Sequence, residues 1–467
     1  MSAASAPPTR RELGTSMVGL VIVIATGILY RSVVGTSASS PGAGPLFALG
    51  FLSIVGVVAG QFAAVVGLPR LTGYLLAGIV VGPQVAGFIA KADVDSLGLV
   101  NALALALIAL QAGAEVTLPI LARIWKSLTF AALANVIFMI GGCALVFFFL
   151  AGQLPLMAGL PVGAMIAVSV LWGVLAFTRS PSVTLAILAD TGARGPMSEW
   201  ALGLVVVLDV LVLPIFTASL TFARSQLEGM PFEPAVFIEL SHELWESVLA
   251  GIAGGLVLGF ILRLVKTNRV LIVVVVGYLV TAGCAYLRYD TLFVFVVMGF
   301  VAVNVVGIGE VLLHATERTS GAVFVVFFAL AGTKLDLEAL KTLWPVALAL
   351  TVARIVFTVV ASHVGHHFAK DAPVVRRWGW MALVSQAGVT IGLASLAGDV
   401  LPGVGPPLAT LVIAVIGMNQ VIGPVVFKFA LSRSGETANA RADAGTPAAP
   451  QDVSDGEAGI KPVDSTA

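Results

Sequence analysis

The sequence predicts an all-α polytopic membrane protein with about 14 transmembrane helices, in which two halves form an inverted-topology repeat with a broken helix in each half. Hydrophobic residues make up 58% of the chain and charged residues 11%. A soluble domain contains about 45–50% and roughly 25% of these classes, so water is not the main solvent of this chain. Apolar stretches of about 20 residues, each long enough to cross a bilayer, follow one another along the sequence. A weak internal repeat indicates the two halves.

The first predicted span follows Arg10 and Arg11 and lacks a clear small-residue cleavage site before Arg31, so we interpret it as a retained helix rather than a signal peptide. The last 36 or so residues are rich in Ala, Gly, Ser and Pro and predict a disordered tail. The predicted spans, in order, are 15–33, 44–67, 71–90, 97–117, 128–151, 160–188 (interrupted), 199–223, 240–265, 270–287, 290–307, 319–334, 344–364, 378–399 and 406–430.

The loops on the side of the N-terminus carry more Lys and Arg residues than the opposite loops. This asymmetry predicts that both termini are cytoplasmic. The expected location is a bacterial-type inner (plasma) membrane, as an integral multi-pass protein.

The internal repeat relates residues 109–138 to residues 328–357 without a gap. It continues as Val183-Thr184 matching Val389-Thr390, and it pairs Asp209 with Asn419, each five residues before a proline. Equivalent helices are separated by an odd number of spans, so the second copy must run opposite to the first. Duplicated halves with polar groups at membrane depth are typical of secondary transporters. The identical pairs in the first stretch are Ala112/Ala331, Gly113/Gly332, Leu118/Leu337, Leu121/Leu340, Trp125/Trp344, Ala134/Ala353 and Phe138/Phe357.

Asp209 lies within Val-Val-Val-Leu-Asp-Val-Leu-Val-Leu-Pro, surrounded by apolar residues. A charge near the bilayer centre costs at least about 2.5–3.5 kcal/mol on insertion scales, and such residues generally mark ion or proton paths. Two interpretations follow. Asp209 is either a structural carboxyl, protonated or salt-bridged, or a functional one that alternates between a proton and a metal cation.

Two predicted spans are interrupted at equivalent places of the repeat. Thr178-Arg179-Ser180-Pro181-Ser182 breaks one, and Ser385-Gln386-Ala387-Gly388 lies in the other. Proline removes a helical hydrogen bond, and hydroxyl side chains offer the freed backbone other partners. Matching broken helices indicate a binding site, because their carbonyls and helix ends can face an ion. A proline kink used only for packing is the alternative.

Two arginines fall within predicted spans. Arg354 keeps its charge, so it cannot shuttle protons, and it is expected to balance the charge of an anionic site or of a carboxylate, unless it snorkels to the lipid surface.

Glu115 and its repeat partner Lys334 lie near span ends, where interfacial charges are ordinary. The histidines 363, 366 and 367 lie at a cytoplasmic helix end and are expected to be solvated, with pH sensing as the alternative.

Several motifs in residues 44–430 resemble the monovalent cation:proton antiporters, specifically the cation:proton antiporter-2 family. Residues 73–83, Gly-Tyr-Leu-Leu-Ala-Gly-Ile-Val-Val-Gly-Pro, resemble the family's G-Y-L-x-A-G-x-x-x-G-P element. Further matches are Gly113-Ala114-Glu115 to G-x-E, Phe327-Phe328 through Gly332 to F-F-x-x-x-G, and Ser385-Gln386-Ala387-Gly388 to S-Q-x-G. The stretch at Ser180-Pro181 matches the crossing broken helix, Asp209 the ion-binding aspartate, and Arg354 the basic residue before the second break.

The resemblance implies a sodium/proton antiporter-like fold and a homodimer, in which a six-helix core bundle moves against a dimerisation bundle in an elevator-like cycle. The implied division is a cytoplasmic N-terminal tail at 1–14, an extra helix and loop at 15–43, scaffold helices at 44–96, core half 1 at 97–224, a linker and scaffold helices at 225–307, core half 2 at 308–431, and a disordered cytoplasmic tail at 432–467.

These observations predict a secondary active transporter that exchanges Na⁺ or K⁺ for H⁺ by alternating access. Asp209 would bind the cation or the proton. Thr178, Ser180, Asn419, Ser385 and Gln386 would line the site, and Arg354, Arg179 and Glu115 would balance charge. The family commonly has a polar residue directly before the aspartate, whereas this chain has Leu208. With a single carboxylate at the site, we expect one proton to be exchanged per cation and no net charge to move in each cycle. If a second carboxylate takes part, Glu115 and Glu199 are the first candidates.

No resident cofactor, nucleic acid or enzymatic reaction is expected, since the chain has no nucleophile–base constellation and no Gly-rich phosphate loop. The expected partners are the monovalent cation, the proton, membrane lipid and a second copy of the chain. Two alternatives remain open: a sodium-coupled carrier of an organic anion, with Arg179 binding the anion, and an ion-binding membrane sensor without net transport.

Overall fold

The computed structural model describes residue 25 and residues 43–229, 235–287, 289–335, 337–386, 389–401 and 403–443. This part of the chain is helical and contains no strand, which confirms the predicted all-α class. Within it, nine helices are long and apolar enough to cross a membrane, or ten if a helix pair bent by 50° within residues 309–333 counts as one span.

The helices are numbered here in chain order, and short 3₁₀ turns lie at 151–153, 155–157 and 379–383. Their bounds are α1 Ala43–Val65, α2 Arg70–Val81, α3 Lys91–Ser96, α4 Gly98–Glu115, α5 Leu118–Ala134, α6 Gly141–Phe149, α7 Val162–Phe177, α8 Pro181–Thr191, α9 Pro196–Glu228, α10 Ala235–Leu264, α11 Arg269–Leu287, α12 Thr291–Asn304, α13 Gly309–Thr333, α14 Leu337–Ala369, α15 Pro373–Trp378, α16 Val389–Val400, α17 Gly405–Ser434 and α18 Ala438–Asp443.

Every predicted span from 44–67 onward overlaps a helix, whereas the span at 15–33 lies outside the described residues. The total number of spans and the inverted repeat stay predictions.

The beginning of the predicted disordered tail is helical, because α17 continues to Ser434 and α18 follows. Between them Glu436 is buried, and its carboxylate accepts hydrogen bonds from Met197 N (2.7 Å), Ser198 N (2.8 Å) and Ser198 Oγ (2.6 Å). These bonds cap the N-terminus of α9.

Buried apolar residues divide the helices into groups. The largest cluster is formed mainly by α5–α9 and α14–α17, which we call the core bundle. A second cluster joins α4, α10, α11, α12 and the start of α13. A third joins α1, α2, α3 and the end of α13. The second and third groups together form what we call the scaffold.

Glycine allows the backbones of α4 and α12 to approach closely. A Cβ atom on Gly113 would collide with the carbonyl of Val296, and one on Gly299 with the carbonyl of Leu110. Small residues at such crossings are the usual means of tight helix packing in membranes. Helix α12 is therefore held firmly on α4.

The first predicted break is present between α7 and α8. Helix α7 ends at Phe177, residues 178–180 are not helical, and α8 begins at Pro181, the helix position at which proline's missing N–H costs nothing. Ser180 caps α8 by accepting a hydrogen bond from Val183 N at 3.2 Å. The second break lies between the 3₁₀ turn that ends at Leu383 and α16, and its Ala387 and Gly388 fall outside the described residues.

Candidate ion site

The two helix breaks contact each other. The hydroxyl oxygens of Thr178 and Thr390 are 2.7 Å apart. Gln386 Nε2 donates to Thr178 Oγ1 and to the carbonyl oxygen of Leu175, both at 3.0 Å. Residues 208 or more positions apart in the sequence therefore meet at one point inside the core bundle.

Arg354 of α14 joins the ends of both half-helices. Its side chain is fully buried. It donates to the carbonyl oxygens of Ala176 (2.9 Å) and Thr178 (3.0 Å) at the first break. It also donates to those of Val384 (2.5 Å) and Leu383 (3.4 Å) at the second. A helix C-terminus has unpaired carbonyls and a partial negative charge, so a guanidinium there both satisfies and neutralises it.

Arg179 is equally buried but points into a different group of side chains. Its Nη2 donates to Asn135 Oδ1 and to Thr358 Oγ1, both at 3.2 Å. Asn135 begins a π-helical turn, Asn135–Ile140, between α5 and α6. These bonds hold Arg179 between α5 and α14. Its Nη1 also donates to the carbonyl oxygens of Thr178 (3.4 Å) and Ala176 (3.5 Å), so its charge lies beside the first helix break.

Asn419 and Gln386 extend the contact between the breaks into α17. Asn419 Nδ2 donates to Gln386 Oε1 at 2.9 Å. Both side chains are buried, as is Ser385. Asn419 Oδ1 and Ser385 Oγ are buried atoms with no hydrogen-bond partner among the described residues. Such atoms are rare in native structures, and they are positions where water or an ion commonly binds.

Asp209 faces a separate cavity on the surface of the core bundle. The space open to the centre of a water molecule there is about 20 Å³, enough for about one water. Asp209 Oδ1 is buried and has no hydrogen-bond partner among the described residues. The core bundle contributes Pro181, Val206, Asp209, Val210 and Leu213, and α12 with its preceding residue contributes Asp290, Leu292, Phe293 and Val296.

The predicted site residues thus fall into two neighbouring places. Thr178, Gln386, Asn419 and Arg354 form one hydrogen-bonded network, whereas Asp209 lines the cavity together with Pro181, which begins α8 just after the break. Sequence reasoning missed Asp290. The available signal was an acidic residue directly before an apolar run, which also fits a helix cap.

The model of the family described as "Sodium/hydrogen exchanger, transmembrane" matches residues 49–433. The chain belongs to this sodium/hydrogen exchanger family. The resemblance seen in the sequence motifs is confirmed by this match, which covers most of the chain, and the family supports cation/proton antiport rather than an enzymatic reaction.

The exchanger also resembles solved structures of the sodium proton antiporter MjNhaP1 from Methanocaldococcus jannaschii. The structure at pH 8 has 14% sequence identity and a TM-score of 0.62, covering 84% of the exchanger and 97% of MjNhaP1. A three-dimensional electron microscopy structure has 14% identity and a TM-score of 0.66, covering 83% and 96%. At this identity the likeness shows a shared fold. No curated protein sequence matches.

The remaining charged candidates of the exchanger lie elsewhere. Glu115 is the last residue of α4. Glu199, in the first turn of α9, pairs closely with Arg123. His366 differs from the expectation of solvated histidines: it is 1% exposed, its Nδ1 lies 2.6 Å from Asp371 Oδ2, and its ring packs on Trp200. The other two histidines of that group, 363 and 367, are exposed as expected.

Proposed function

We propose that the exchanger moves Na⁺ or K⁺ against H⁺ across the membrane, with Asp209 as the residue that binds either ion. The observation that carries the proposal is the cavity at Asp209, where a buried carboxylate oxygen has no hydrogen-bond partner in the part of the protein that the structure describes. A carboxylate at membrane depth is costly unless it is protonated or paired with a cation.

Competition for one carboxylate couples the two ions. When Asp209 is ionised it accepts a cation, and when it is protonated the charge that attracts the cation is gone. The core bundle crosses between two states only with one ion or the other bound, because the bare charge is the expensive form. Competition for this carboxylate is therefore sufficient to couple the movement of the cation to that of the proton.

The cavity lies on the boundary between the core bundle and the scaffold, where relative motion would open and close it. The resemblance implies an elevator-like movement and a homodimer. The predicted core halves begin at residues 97 and 308, but the packing of α4 and α13 favours a moving bundle that begins at Leu118 and at Leu337. In this division Asp209 moves, while α12 stays with α4.

The polar network behind the cavity has a supporting role. Arg354 neutralises the carbonyl ends of both half-helices, so their crossing is stable without a bound cation. Thr178, Ser180, Ser385, Gln386 and Asn419 would line the inner side of the site. Asn419 Oδ1 and Ser385 Oγ, which have no partner among the residues that the structure describes, offer lone pairs to the cation or its water.

One proton is exchanged per cation, so each cycle moves no net charge. Asp209 is the one carboxylate that the described part of the core bundle contributes to the cavity, and Leu208 precedes it. Arg179 and Arg354 keep their protons and so do not enter the count. Both termini face the cytoplasm, and the membrane is the bacterial-type inner membrane.

The test is exchange by purified protein in liposomes that contain a pH-sensitive dye, with Na⁺, K⁺ and Li⁺ added in turn. Asp209→Asn should abolish cation-dependent proton movement, since an amide cannot exchange a proton or supply a charge. The matched control is Asp95→Asn, an exposed aspartate of α3. A folded Asp209→Asn protein with near-normal exchange would exclude Asp209 as the shared site.

The same liposomes test the two alternatives. Wild-type protein that binds cations but gives no flux would favour a sensor. Sodium-dependent uptake of an organic anion would favour the anion carrier, although the hydrogen bonds of Arg179 to Asn135 and Thr358 do not support it as an anion-binding group.

A further inference from the structure

Asp290 lines the same cavity as Asp209. It directly precedes α12, so its carboxylate belongs to the scaffold, whereas Asp209 belongs to the core bundle. Its position is well fixed. Asp290 Oδ1 accepts a hydrogen bond from Phe293 N at 2.7 Å, and its backbone N–H donates to Ser247 Oγ of α10 at 3.2 Å.

The hydrogen bond to Phe293 N is an ordinary N-cap, which Asn or Ser would form as well as Asp. A cap therefore does not explain the charge. The bond occupies one carboxylate oxygen. The place is also unfavourable for an anion, because Asp290 is half-buried in a cavity lined mainly by apolar residues.

The second carboxylate makes the arrangement more costly still. Two carboxylates that share a site repel each other, which favours protonation of one of them unless a cation lies between. The cavity that Asp209 and Asp290 both line has room for about one water-sized occupant. Asp209 also brings an oxygen that is buried and has no partner among the described residues.

We propose that Asp290 is the second carboxylate ligand of the transported cation. The inference rests on the proposed role of Asp209 and adds a ligand that does not move with it. In this state the cation bridges the core bundle and α12, and when the bundle moves the cation leaves with Asp209 while Asp290 stays behind. Asp290 therefore raises the affinity for the cation in one state of the cycle without changing the number of protons carried.

The decisive variant is Asp290→Asn, which keeps the cap and removes the charge. In liposomes we expect the KM for Na⁺ to rise about tenfold, because a nearby opposite charge has been lost, while the maximal rate changes less. Independently of transport, Na⁺ should stabilise wild-type protein in detergent against heat, since a ligand that binds only the folded state raises its melting temperature. At alkaline pH that sodium-dependent rise should be largely lost in Asp290→Asn.

Asp290→Ser repeats the test with a different cap, in case the asparagine variant folds poorly, and Asp95→Asn is again the control for loss of an aspartate charge. Asp290→Ala shows the cost of losing the cap as well. If the asparagine and serine variants have the wild-type KM and the wild-type response to Na⁺, Asp290 is a helix cap only and the proposal is wrong. That result would leave the role of Asp209 intact, which is tested separately by Asp209→Asn.

Discussion

Arg354 Nη2 donates a hydrogen bond to the carbonyl oxygen of Thr178 over 3.0 Å, and this bond fixes the end of α7 to the middle of α14. The same guanidinium reaches the carbonyls of Leu383 and Val384, so a single side chain holds both helix breaks together. We expected Arg354 to balance the charge of an anionic site or of a carboxylate. The described hydrogen bonds of Arg354 go to four backbone carbonyls instead. This arginine therefore holds the two helix breaks in position.

Arg354→Ala should destabilise the protein markedly, because buried carbonyls left without a donor cost about 1–3 kcal/mol each. Arg354→Lys should be intermediate, since an ammonium restores the charge but cannot reproduce the planar fork of donors. The measurement is the melting temperature in detergent. Arg123→Ala, at a side chain that is 62% exposed, is the control and should have a small effect. An unchanged melting temperature for Arg354→Ala would contradict the bridging role.

The core bundle also contacts the scaffold away from the cavity, where α8 ends and α2 begins. Arg70 Nε is 3.5 Å from Asp190 Oδ1, and Arg70 N donates to Asp190 Oδ2 at 3.3 Å. Lys428 of α17 donates to the carbonyl oxygen of Leu68 nearby, at 3.0 Å. If the core bundle moves against the scaffold, these contacts must break in each cycle.

A disulfide between cysteines placed at 70 and 190 should therefore stop exchange, and a reductant should restore it. The hydrogen bond from Arg70 N to the Asp190 side chain shows that the two residues are in contact, which a disulfide between these positions requires. The single variants Arg70→Cys and Asp190→Cys are the controls, and they should lose little stability because a partly exposed ion pair contributes about 0–1 kcal/mol. Full exchange by the oxidised double variant would show that α2 and α8 need not separate.

Exchange should be insensitive to an imposed membrane potential. One charge moved across the membrane is worth roughly 2.3 kcal/mol per 100 mV, so a cycle with net charge movement would respond strongly. The check is sodium exchange in liposomes under a potential set by a potassium gradient and valinomycin, with currents on a solid-supported membrane as a second measurement. A clear effect of voltage would mean that a second carboxylate releases a proton. Asp290 would then be the first candidate, because it lines the same cavity as Asp209, and Glu199 the next, because it pairs with Arg123.

Much of the site could be predicted from local sequence. Pro181 with hydroxyl residues beside it marks a helix break because proline lacks a donor, and Asp209 is conspicuous among apolar neighbours. The repeat led to Ser385, Gln386 and Asn419, and the structure brings Gln386 and Asn419 together with Thr178. The burial of His366 was not predictable in this way, because its partner Asp371 lies beyond the helix end and Trp200 comes from α9.

The sequence by itself determined the class of the protein, the positions of most helices and the motifs of its family, because composition, apolar length and helix-breaking residues are properties of short stretches of chain. Only the tertiary structure decided which polar groups face one another. It directed Arg179 toward Asn135 and Thr358, gave Arg354 four carbonyls as partners, and placed Asp290 in the same cavity as Asp209. These relationships depend on how tightly packed helices cross and on the direction in which each side chain leaves its helix, and neither is encoded in the spacing of residues along one segment.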